Sequence, residues 1–193
     1  MSARDFFNKK PNETKEERKI RLRQEEINRM NIHGTNLFFT AVENNKYDAV
    51  EKMIWEGAEV NVRTTSRGLI SNIAVSVPYA VGATPLHAAS LLGAPDIAQL
   101  LLENGAKPNA KDNAGHTPLD YAILSYNYFK DDLAQKETSR IAFQRSVNKA
   151  ENRLAEFDRV IATLLAYGGK PAMFVLPEPF NGNGPKPSAP PLP

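Results

Sequence analysis

The chain has 193 residues, 41% of them hydrophobic, and a formal net charge of +2: enough for one packed domain with tails, too little charge to argue for nucleic acid. Cysteine is absent, which removes disulfides, thiolate zinc sites and cysteine nucleophiles and suits a reducing, cytoplasmic compartment. Met1 to Lys10 lack the apolar run of a signal peptide, and no stretch is apolar for long enough to span a bilayer.

Residues 1–33 read as a charged N-terminal arm. Thr14-Lys15-Glu16-Glu17 matches a capping box, so a helix is expected over 13–30, with Ile20, Ile27 and Met30 as a thin apolar stripe. Its charges alternate in sign, which favours a solvated helix capping the first repeat over an arm for acidic partners.

From Asn36 to Lys170 one pattern recurs. Thr84, Pro85, Leu86 and Ala89 fall on Thr117, Pro118, Leu119 and Ala122 at an offset of 33. At an offset of 48, Phe38, Ala41, Gly57, Ala58 and Asn61 fall on Leu86, Ala89, Gly105, Ala106 and Asn109. At 63, Leu101, Leu102, Gly105 and Lys107-Pro108 meet Leu164, Leu165, Gly168 and Lys170-Pro171. A period near 33 predicts a helical solenoid, with repeats at 34–63, 82–111 and 115–170. Threonine then proline suits a helix start, and Gly57, Gly105 and Gly168 suit the left-handed residue that ends one.

The surplus residues lie in two insertions. In 64–81, Ile73, Val75, Val77, Tyr79 and Val81 alternate with small or polar residues, the period of a strand. With Arg67-Gly68 as a turn, this predicts a β-hairpin finger, either projecting toward a partner or folded down over the repeats; Pro78 confines pairing to an edge. The insertion 125–155 carries heptad stripes on both arms. Leu119, Ala122, Tyr126, Phe129 and Leu133 form one, and Phe143, Val147, Ala150, Leu154, Phe157, Ile161 and Leu164 the other. They predict an extended antiparallel helical hairpin joined near 134–138, with a single helix over 132–167 as the alternative. Met173 to Leu176 is apolar and is expected to cap the open end, closing the domain at 34–176. Seven of the last 17 residues, 177–193, are proline, which predicts a disordered or polyproline-like tail.

Thr-Pro-Leu-His-Ala-Ala at 84–89 and Leu-Leu-Leu-Glu-Asn-Gly-Ala at 100–106 resemble the ankyrin repeat. The first copy departs from it, with Asn36-Leu37-Phe38-Phe39 at its start, and the third has Asp120 in the place of His87. The resemblance covers about two thirds of the chain. It implies an all-α solenoid of helix-turn-helix units that binds protein partners through turn tips and a concave groove. On this chain that surface would comprise Lys111, Asn113, Ala114, His116, Leu91, Leu92, Leu124 and Ser125, with Glu43 and Asn44 in the first repeat. The finger adds Arg63, Arg67, Leu69 and Ile70. Leu91 and Leu92 are unusually apolar for such positions: they form an interface patch, or the helical hairpin covers them through Tyr126 or Tyr128. In the family the histidine of Thr-Pro-Leu-His bonds the turn, so His87 reads as structural.

Chemistry has no foothold in the pattern. His33, His87 and His116 lack partners at metal-ligand spacing, carboxylates are scattered, and no loop is built to cradle phosphate. The expectation is a monomeric, non-catalytic protein-binding module with no cofactor and no metal. An alternative function lies in the tail. Pro187-Ser188-Ala189-Pro190 resembles a late-domain tetrapeptide bound by ESCRT-I, and Pro190 to Pro193 a WW-domain ligand. The chain would then be an adaptor, or a host-directed effector of an intracellular bacterium or virus acting in the host cytosol.

Overall fold

The structure, a computed structural model, describes residues 13–70, 77–136 and 143–174. Helix α1 spans Lys15–Asn28, α2 Leu37–Glu43, α3 Tyr47–Trp55, α4 Pro85–Leu92, α5 Pro95–Glu103, α6 Pro118–Lys136 and α7 Phe143–Ala166. Between α3 and α4 lie strands β1 (Gly68–Ile70) and β2 (Val77–Tyr79). Helices α2, α4 and α6 stack as an inner layer, and α3, α5 and α7 as an outer one, so each helix pair packs on the next. A single pair could not bury its apolar face alone; the stack makes one continuous core from Ile27 and Phe38 to Leu164.

The local signals act as their chemistry dictates. Thr14 and Glu17 close a reciprocal capping box at the start of α1. Thr84 and His87 do the same for α4: the Thr84 N–H donates to His87 Nδ1 at 3.0 Å, leaving Nε2 to donate to the His116 carbonyl at 3.1 Å. Asn36 stands in for threonine, its Oδ1 accepting from the Phe39 N–H at 2.8 Å. The units are then tied by an asparagine ladder. Asn28, Asn61 and Asn109 donate Nδ2 to the carbonyls of Gly57, Gly105 and Gly168. Their Oδ1 atoms accept from the N–H groups of Glu59, Lys107 and Lys170. Asn28 therefore holds α1 where a preceding repeat would stand.

His87 gives the array an acid sensitivity. Burial holds its imidazole neutral and pushes its pKa down to about 4, against the weaker opposing pull of the His116 carbonyl bond and the Asp112 charge. The unfolded chain takes up this proton near pH 6.5 and the folded chain does not, so stability is full above that pH and is lost as pH falls toward 4. The loss from this one group should be roughly 3 kcal/mol. His87→Gln is expected to flatten the dependence of the urea midpoint on pH between 6.5 and 4. A slope equal to that of the native chain would contradict it.

Several expectations are revised. Ile20 is exposed, and only Ile27 and Met30 of the α1 stripe reach the core. Arg67-Gly68 does not turn the chain: Gly68 opens β1 and pairs with Tyr79, while Leu69 faces Pro78 and Ile70 faces Val77 in register. A Cβ on Gly68 would fall inside the Tyr79 phenol, so this position needs glycine. Residues 65–82 stand where the other repeats have three residues: the Thr64 N–H meets the Ala83 carbonyl as Asn31 meets Thr35 and Asp112 meets His116. Helix α6 continues through 134–136, and it packs along α7 with Thr117 beside Lys170 and Phe129 beside Phe157. That antiparallel course excludes one helix over 132–167.

Candidate functional site

On the turn side of the array the finger base, the third turn and the C-terminal strap enclose a groove of about 330 Å³. It is lined by Arg67, Pro78, Tyr79, Ala80, Ala114, His116, Asp120, Tyr121, Leu124 and Phe174. Its walls are tied across the repeats. The Tyr79 hydroxyl donates to Glu43 Oε1 of α2 at 2.7 Å, and the Ala80 N–H donates to the Tyr121 hydroxyl of α6 at 2.9 Å. Tyr121 in turn donates to Asp112 Oδ2 at 2.8 Å. Burial raises the Glu43 pKa against the Tyr79 bond, and burial also raises the Tyr121 hydroxyl.

Asp120 organises the far wall. Its Oδ2 accepts from the Thr117 N–H and hydroxyl at 2.8 and 2.9 Å, the capping work that His87 does in the repeat before. Its Oδ1 accepts the N–H groups of Ala172, Met173 and Phe174 at 3.0, 2.8 and 3.0 Å. Burial alone would raise this carboxyl, but the N–H donors outweigh it and hold its pKa below the usual range. The strap so held stacks the Phe174 ring against His116, 6.3 Å between centroids with the ring planes nearly parallel. His116 also meets Tyr121 edge-on at 5.6 Å.

Of the residues expected at the contact surface, Arg67, His116, Ala114 and Leu124 line this groove. Lys111 and Asn113 are exposed on the third turn, and Asn113 donates its backbone N–H to the Val81 carbonyl of the finger root. Arg63 is exposed but engaged, its Nη1 donating to the carbonyls of Gly82 and Lys111 at 3.1 and 2.7 Å. Leu69 and Ile70 lie on β1. Leu91, Leu92 and Ser125 are buried and present nothing to a partner. The helical hairpin covers them: Ser125 Oγ donates to the Leu91 carbonyl at 3.0 Å and Arg153 Nη2 to the Leu92 carbonyl at 2.8 Å. Those carbonyls end α4 and would otherwise go unpaired, and a cation there also suits the helix dipole. Pro187, Ser188, Ala189 and Pro190 lie outside the described residues.

Tyr121, Asp120, Phe174, Pro78 and Tyr79 line the groove without having been singled out as contact residues. The departure of Asp120 from the histidine pattern was the available signal: a carboxylate at that position calls for donors, and the strap N–H groups supply them.

Among the described residues no three side chains are grouped to hold a metal, and no helix is long and apolar enough to cross a membrane. The family described as ankyrin repeats (3 copies) matches residues 37–131. The chain is 35% identical over 103 residues, 49% of its length, to an ankyrin repeat protein of Rickettsia bellii (strain RML369-C), covering 43% of that protein. It is 52% identical over 44 residues, 23% of its length, to the human neurogenic locus notch homolog protein 4, covering 2% of it. It is 30% identical over 94 residues, 49% of its length, to the human 2-5A-dependent ribonuclease, covering 11% of it. The chain spans less than half the length of each of these relatives. Through its repeats at 37–131 the chain belongs to the ankyrin repeat family.

Proposed function

We propose that this chain is a non-catalytic protein-binding module whose contact surface is the turn side of the array, centred on the groove between finger base and C-terminal strap. What supports it most is the groove itself. It is an apolar hollow open to solvent, set among turns that rigid helix pairs hold in place. Proteins of this family generally serve as protein–protein interaction modules. Of the concave face, the end of α4 is already covered by the helical hairpin, while the groove, Arg63, Lys111, Asn113 and Asn44 are among the accessible surface.

The test is a charge-neutral obstruction. Ala114 is exposed on the third turn and lines the groove, so Ala114→Trp fills the hollow without touching the core. Captured partners of the full chain are expected to fall at least tenfold in yield with the melting temperature unchanged. An identical set of partners, at identical yield, would sink this reading.

A further inference from the structure

The groove also carries a charge asymmetry. Arg67 lines it, is exposed, and makes no hydrogen bond or ion pair among the described residues. Arg63 and Lys111, exposed on the adjoining turns, have no carboxylate partner among the described residues either. Among the described residues, the carboxylates beside the groove, Asp112, Asp120 and Glu43, are engaged by the fold itself. Asp112 accepts the Tyr121 hydroxyl and the N–H groups of Ala114 and His116. Asp120 is saturated by Thr117 and the strap, and Glu43 accepts the Tyr79 hydroxyl. The negative charge is spent inside the fold while the positive charge is left at the rim.

We propose that the groove takes an acidic segment of a partner protein that carries one large apolar side chain as its anchor. This rests on the protein-binding reading above and names the chemistry of the partner. A hollow of about 330 Å³ lies at the small end of ligand sites, which run from about 300 to 1,000 Å³, so it has room for one such side chain. Pro78, Tyr79, Leu124 and Phe174 supply the apolar contact. Arg67 then offers a planar guanidinium to a flanking carboxylate, the geometry that favours paired hydrogen bonds. The rim cations steer such a segment in and reject a basic one. The chain's own 175–193 fits this less well, since it carries one glutamate, Glu178, against one lysine, Lys186.

An array of immobilised nonapeptides tests it, each with a central Phe, Leu, Pro or Ala flanked on both sides by Glu, Ser or Lys, probed with the full chain. Glu-flanked Phe and Leu peptides are expected to retain at least tenfold more chain than Lys-flanked ones, and more than Glu-flanked Ala. Arg67→Glu should erase or invert the flank preference while melting as the native chain does, and Arg67→Gln should weaken it. Retention blocked by Ala114→Trp yet indifferent to flank charge would overturn this inference and leave the protein-binding reading standing. Preference for Lys flanks, for uncharged Pro-centred peptides, or no retention at all would also overturn it. So would retention seen only after the chain is ended at residue 176, which would make its own tail the occupant.

Discussion

Phe157→Ala is expected to lower the unfolding free energy by about 3–5 kcal/mol, the range for deleting a fully buried phenylalanine. The ring has no exposed surface, lies 5.4 Å from Phe129 between centroids, and has the Arg153 guanidinium over it at 5.5 Å. It also fills the space above Gly93, where α4 ends in a left-handed residue; a Cβ there would come within 2.7 Å of the ring. The ring is therefore the knob by which the extended third repeat locks onto the second. Urea unfolding followed by circular dichroism reads the loss. Because few interfaces share the load, the array should unfold in one step at a lower midpoint rather than shed its last unit. Gly93→Ala supplies the control. In the native background it should cost the left-handed strain, about 1 kcal/mol, plus the collision with Phe157. In the Phe157→Ala background the collision term should vanish, so the two substitutions should be less than additive. A loss below about 1 kcal/mol for Phe157→Ala would mean that α7 does not seat on α4.

That contact also shows where a sequence stops being legible. The repeat pattern is local: Thr84 before Pro85 and glycine at 57, 105 and 168 act within one helix turn, and the structure has helix starts and positive φ values where they point. The burial of Leu91 and Leu92 is decided by distant neighbours, Ser125 and Arg153, 34 and 61 residues along the chain from the carbonyls they bond, and no spacing announces either bond. The finger root misleads for a related reason. Arg67-Gly68 has turn chemistry, but Gly68 is glycine because the Tyr79 ring crosses it. Asn28, by contrast, is legible in the repeat register. It stands 33 residues before Asn61, as Asn61 stands 48 before Asn109, and it makes the same pair of bonds. Extending the repeat register one step upstream would have placed the end of α1 on the first repeat from sequence alone. At the other end Ala172 occupies the ladder position, following Lys170-Pro171 as Asn109 follows Lys107-Pro108. With no amide there, the ladder cannot pass to a further unit.

The ladder's end is where the second large effect is expected. Asp120→Ala should cost about 2–4 kcal/mol, because it removes both a helix N-terminal cap and the acceptor for three backbone N–H groups. The strap would detach rather than leave those N–H groups buried, so the cost is bounded by the cap plus the docking of Phe174. Asp120→His separates the two contributions. It restores the capping geometry that His87 provides for Thr84, yet an imidazole that accepts from Thr117 has only a donor left to face the strap. Asp120→His should therefore recover about 1 kcal/mol, the typical worth of a cap, with the amide signals of residues 172–174 still shifted toward solvent values. The pH dependence gives an independent readout. The folded carboxyl has its pKa held below the ordinary value, so its contribution is complete above about pH 4 and is lost as pH falls through the folded value. Both substitutions should flatten the stability curve below about pH 4; Asp120→Ala should leave the window that belongs to His87, from 6.5 down to about 4, in place, whereas Asp120→His, by burying a second imidazole, should steepen it. If Asp120→His proved as stable as the native chain, the strap would contribute nothing, and Phe174 could not be a fixed wall of the groove. If the strap is lost as expected, the groove loses the face that His116 and Phe174 make together, and retention of acidic peptides should fall even though Arg67 is untouched.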